Sequence, residues 1–265
     1  MKKEKFTLRS LEEFKTATIA TVRALSQNSK TTVSFSSKKN LQPHHKISPK
    51  AELPVLPAKL TNESIIRIRG AADLEALKIR FHNNNIHSER IPQSKDAIDA
   101  YNSMEETRIE AIGAESYAGV SNNLSKALEQ KLLLEGYGTA KNISQIQLPD
   151  SLSVLIHSSF NKINLGPTGK HIKEISEREY GEKINSYIKK LKDNIKNQTE
   201  YSKIVREVID ELNLEKNDGG RKNQSDDKNH ELDDNYDQEN LDEKKNEQKS
   251  FGTQSAELEE KDNEE

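Results

Sequence analysis

A mainly α fold, a helical bundle with at most a minor β element followed by a disordered acidic tail, is predicted by three observations. Apolar residues recur at a period near 3.6 through most of residues 61–214, whereas only one short segment alternates polar and apolar. The chain is 32% hydrophobic and 32% charged with a mean hydropathy of -0.93, too polar for all of it to fold. The charge also changes sign along the chain: residues 215–265 carry 18 acidic and 8 basic side chains, a balance of -10, which leaves +7 for the rest of a chain whose total is -3.

The elements follow in order. Ser10 and Glu13 have capping-box spacing, so a helix is expected to start there and to carry Leu11, Phe14, Thr18, Val22 and Leu25 on one face. Thr31–Ser36, TTVSFS, alternates with β-branched residues and reads as one strand in need of a partner. Pro43, Pro49, Pro54 and Pro57 disfavour both helix and central strand, so residues 37–60 read as an extended connection, closing an N-terminal region of residues 1–60. The helical domain, residues 61–214, opens with a stripe of Ile66, Gly70, Leu74, Leu77 and Phe81, in a helix ending between Asn83 and Pro92. A second run aligns Ile98, Tyr101, Glu105, Ile109 and Ile112, and a third aligns Leu124, Leu128 and Leu132 before Gly136 and Gly138 stop it. Three further apolar faces are Leu152, Leu155, Ile156 and Phe160; Ile184, Tyr187, Ile188, Leu191 and Ile195; and Tyr201, Ile204, Val205, Val208 and Leu212. Residues 215–265 have too few apolar side chains to offset roughly 1–2 kcal/mol per residue of ordering entropy and read as a linker or tail.

Little reaction chemistry is visible. Without cysteine there is no disulfide, thiolate zinc site or Cys nucleophile. No apolar leader and no run of about 18 apolar residues occurs, so a cytoplasmic location without membrane contact is expected. His82 and His87 are five apart, about 140° around an ideal helix, and do not form the i,i+4 pair of a helix-borne metal site; a structural or surface role is expected. His44 and His45 read as solvated. Gly166-Pro167-Thr168-Gly169-Lys170-His171 fails as a phosphate loop, having Asn164 for the first glycine and no hydroxyl after the lysine, and reads as a helix entry. Glu105, Glu106 and Glu110 read as a solvated or ion-paired helix face, and the scattered Lys and Arg lack the aromatic platform of a nucleic-acid binder. No D-x-S-x-S run is present to place oxygens around Mg²⁺.

One set of residues resembles a known family. Phe14 with Ala20–Leu25, the Val33–Ser36 strand, the proline-bearing Leu53–Leu60, Arg69-Gly70-Ala71-Ala72-Asp73, Leu77–His82, His87, Arg108–Gly113, Gly119-Val120 and Asn123-Leu124 are similar, in order and spacing, to the N-terminal region of the CobT subunit of aerobic, ATP-dependent cobaltochelatase. The likeness covers most of residues 10–135 and continues weakly to 214. It implies a subunit of a ligase forming nitrogen–metal bonds, which inserts Co²⁺ into a corrin, hydrogenobyrinic acid a,c-diamide, in cobalamin biosynthesis. It further implies a scaffold, with no catalytic residue, cofactor or metal of its own. ATP, Mg²⁺ and Co²⁺ would be handled by partners: an AAA+ ATPase subunit and a large chelatase subunit, in an oligomeric complex. Such subunits also carry a C-terminal von Willebrand-like metal-site domain, to which nothing here corresponds. The expectation is a truncated or decayed copy, or one whose metal-site domain is a separate polypeptide. Arg69, Arg80, His82, His87 and Arg108 occupy the best-matching positions and are expected to act in an interface or structurally. The competing reading is an unrelated helical protein-interaction module with an acidic tail.

Overall fold

In a computed structural model, residues 8–36 and 49–215 are described; the expected acidic tail, His44 and His45 lie outside them. Among the described residues the order is α1 (Leu8–Leu25), β1 (Thr32–Phe35), β2 (Lys50–Leu53), α2 (Asn62–Phe81), α3 (Asn84–Ser88), α4 (Lys95–Ser116), α5 (Ala118–Leu134), α6 (Leu148–Phe160), α7 (Pro167–Asp193) and α8 (Gln198–Glu211), with short 3-10 turns between α5 and α6. The predicted mainly helical fold with a minor β element is what forms.

The N-terminal region differs from expectation in two ways. The first helix begins at Leu8, so Ser10 sits inside its first turn rather than at its cap. The missing strand partner comes from the proline-rich connector itself: Thr32 pairs with Lys50 and Phe35 with Leu53, in parallel. Pro49 and Pro54 flank β2 without interrupting it, and the Pro49 carbonyl accepts from the Thr32 amide at 3.0 Å. A two-stranded sheet needs a helix to cover its apolar face. That cover is α2, with Ala51 and Leu53 buried in one cluster with Ala72, Ala76 and Leu77.

The α2 core face shares only Gly70 and Leu77 with the predicted stripe. Ile68, Gly70, Ala72, Asp73, Ala76 and Leu77 are buried, while Ile66, Leu74 and Phe81 are only partly covered. Close packing against α5 selects the small residues: a Cβ on Gly70 would overlap the Cβ of Ala127. The α2 N-terminus is closed by a capping box between Thr61 and Ser64, each side chain bonded to the other's amide.

Helix α4 is the central strut, packed on α2, α5, α6 and α8 and buried on several sides from Ala97 to Ala114. Its Ala97, Ala100, Tyr101, Met104 and Ala111 join Leu152, Leu155, Ile156, Ile184, Tyr201 and Val205 in the largest core cluster among the described residues. A third cluster, around Leu132, Val154, Ile172 and Ile175, joins α5, α6 and α7. Helix α5 stops where Gly136 takes φ 79°, a conformation that only glycine adopts without strain. Helix α7 starts at Gly166-Pro167, with proline in the first turn where no amide bond is lost. Its Thr168 and Gly169 amides donate to the Glu129 carboxylate at 2.9 and 3.2 Å, so a carboxylate already holds the donors that a phosphate loop would offer. Among the described residues no helix is long and apolar enough to cross a membrane.

Candidate functional site

The C-terminal end of α2 meets α4 and the start of α8 at a buried polar knot. Helix α2 ends as His82 turns extended, its amide donating to the Lys78 carbonyl at 3.0 Å. Beneath it lies Arg108, 2% exposed, which is matched in both charge and fork geometry. Its Nε and Nη2 donate to the two oxygens of Glu105, both at 2.8 Å. Nη2 also reaches the Phe81 carbonyl at 2.9 Å and Nη1 the Ile195 carbonyl at 3.1 Å. One side chain therefore ties the end of α2 to the α7–α8 connection. The Tyr201 ring lies 5.9 Å from the guanidinium carbon and completes the enclosure.

Glu105 is 6% exposed and so is neither solvated nor a plain surface carboxylate, though it is ion-paired. Burial alone would raise its pKa. The hydrogen bonds from Arg108 and His82 outweigh burial and hold the carboxyl below its ordinary value. His82 Nδ1 is 2.7 Å from Glu105 Oε1; a carboxylate can only accept, so Nδ1 carries a proton. Gln198 seals the corner by accepting from the Asn83 amide at 2.8 Å and donating to the Asn83 carbonyl at 3.0 Å.

Above this knot is an open cleft of about 1140 Å³, lined by residues of the turn after α1, by Pro49 and Lys50, and by α2, α3 and α4. His87 lies in its wall, the ring 4.9 Å from that of His82 and 4.7 Å from that of Tyr101, with Nε2 donating to Asn102 Oδ1 at 3.0 Å. Lys78 bridges Glu106 at 2.6 Å and Glu75 at 3.5 Å; burial would lower its pKa, but these two carboxylates raise it. Arg80 stacks on Phe81, 4.8 Å from the ring centroid, and donates to the Tyr117 hydroxyl at 2.9 Å.

Four of the five residues singled out in the sequence, Arg80, His82, His87 and Arg108, thus converge on one corner of the molecule, and Arg108 is its buried keystone. Arg69 is not part of it. It is exposed on α2, 5.9 Å from the centroid of Phe14 on α1. Its neighbour Asp73 is 3% exposed and accepts from Asn123 Nδ2 at 2.8 Å; burial raises the Asp73 pKa, against the opposing pull of Asn123 and Arg69. Gln198, Asn102 and Tyr201 were not anticipated. Their partners lie far away in the chain or on a mixed helix face; the helical period marks Tyr201 as apolar core but not as a neighbour of Arg108, and no local pattern marks the other two. A second pair, from the buried His157 Nε2 to the half-buried Glu110 Oε2 at 2.8 Å, joins α6 to α4 outside the cleft.

The arrangement positions, ties and presents polar groups; it does not set a nucleophile beside a base. Among the described residues no group of three or more His, Asp or Glu side chains is placed to hold a metal ion. No solved structure matches this chain. The family model described as cobalamin biosynthesis protein CobT matches residues 8–265.

Proposed function

Because this chain belongs to the CobT family of cobalamin biosynthesis proteins, we propose that it serves as a non-catalytic subunit of an ATP-dependent cobaltochelatase. In this reading it couples an AAA+ ATPase subunit to the large subunit on which Co²⁺ and the corrin meet. The family match over residues 8–265 carries the reading. Physical support comes from how the helical unit is built. A coupler must pass displacement from one face to another without deforming, and packed interiors of low compressibility do so. Arg108 holds the end of α2, the α7–α8 connection and α4 together through one guanidinium, so the three move as one body. The exposed Arg69 lies on the outer surface of α2, where it can meet a partner. ATP and Mg²⁺ would act on the AAA+ ring.

The test is to mix the purified chain with the AAA+ subunit and ATP and to measure the mass of the product by light scattering. A stable complex larger than the AAA+ ring alone is expected. Absence of association at micromolar concentrations would overturn the coupling role.

A further inference from the structure

One wall of the cleft is formed by a segment with little to hold it down. Helix α3 is five residues long, and none of them is buried. Both ends of the surrounding stretch are anchored: His82 and Asn83 by Glu105 and Gln198, and Pro92 by burial. Between them the contacts are polar and centre on His87. Its ring sits against His82 and Tyr101, its Nε2 donates to Asn102, and its carbonyl accepts from the Tyr101 hydroxyl at 3.2 Å. Segments of low burial with polar attachments are drawn from the low-stability end of a fold.

We propose that residues 83–91 form a hinged flap over the cleft, closed when His87 is neutral and released when it takes up a proton. The geometry makes a second charge unwelcome. From α2, His82 faces the ring edge-on at 4.9 Å, with its own Nδ1 proton directed to Glu105. From α4, Tyr101 and Asn102 are neutral, and the nearest carboxylate, Glu105, is already shared between Arg108 and His82. From α8, Gln198 adds an uncharged amide. Lys78 and Arg80 contribute further positive charge to the same cleft wall. Burial, and after it the His82 ring, lower the pKa of His87, while Asn102 and Glu105 pull weakly the other way.

The sign follows from linkage. The open flap exposes His87 to water, where it titrates near 6.5, and so binds more protons than the closed flap. Closure is therefore unpenalised above about pH 6.5 and is weakened as pH falls below it, by up to about tenfold per pH unit.

Amide hydrogen exchange of the full chain, corrected for intrinsic rates, tests this. Protection over residues 84–90 is expected to fall up to about tenfold between pH 7.5 and 5.5, while amides of α4 and α8 keep theirs. His87→Phe preserves the ring contacts without the charge, and its flap should stay protected across the range. As a second measurement on the unaltered chain, the His87 ring-proton resonance should titrate below the ordinary imidazole value of about 6.5. Unchanged protection in the wild type, an equal fall in His87→Phe, a loss spread evenly over the whole chain, or a His87 ring that titrates at or above about 6.5 would each overturn the proposal.

Discussion

Arg108 donates to two backbone carbonyls and one carboxylate while almost wholly excluded from water, and truncating it would leave Glu105 buried without its charge partner. Removing one member of such a pair costs about 3–5 kcal/mol, far more than a surface ion pair contributes. Arg108→Ala should lower the unfolding free energy obtained from urea titration by that amount, and a cost under about 1 kcal/mol would show the pair to be dispensable. The same pair sets an acid limb. Glu105 has its carboxyl held below the ordinary value in the fold, so its contribution is present above about pH 4.5 and is lost as pH falls through the folded value. Glu105→Gln should therefore flatten stability against pH in that acid range, a comparison readily made by urea titration at pH 3–6.

Among the elements, α2 depends on being able to approach α5 closely. Gly70 faces Ala127, whose short side chain has no rotamer into which to retreat. Gly70→Ala should be destabilising even though alanine favours a helix by up to about 1 kcal/mol, because overpacking costs about 1–3 kcal/mol. Pairing it with Ala127→Gly should restore part of the thermal midpoint. This position also shows what could be read from the sequence. The 3.6-residue period located α2, α4, α5, α6 and α8, since each has at least one face of large apolar residues. It included Gly70 but missed Ala72 and Ala76, whose small side chains give little hydrophobic signal although they are buried with it on the packed face. It overlooked β2 because a parallel partner arrives after a long connection and Pro49 and Pro54 argued against a strand. Of the site, the cationic and imidazole groups were legible one by one. The knot was not, because Gln198 lies 115 residues from Asn83 and no local period encodes that distance.

At the scale of the molecule, the three core clusters among the described residues share their helices: α4 contributes to the first and second, α5 to the second and third, and α6 and α7 to the first and third. Sharing of this kind favours one cooperative transition. Leu77→Ala in one cluster and Leu155→Ala in another should each cost about 2–5 kcal/mol. Both should shift the same single unfolding curve, whether it is followed by circular dichroism or by tyrosine fluorescence. Two separate steps would show that the clusters are independent. Helix α8 closes the largest cluster, with Tyr201 donating to the Met104 carbonyl from 97 residues away. Ribosomes add about 5–20 residues each second, so the apolar side of α4 has to wait about 5–20 s during synthesis before α8 exists to cover it. During that interval the nascent chain displays Tyr101, Met104 and their neighbours to the cell, and chaperone demand should be greatest just before α8 emerges.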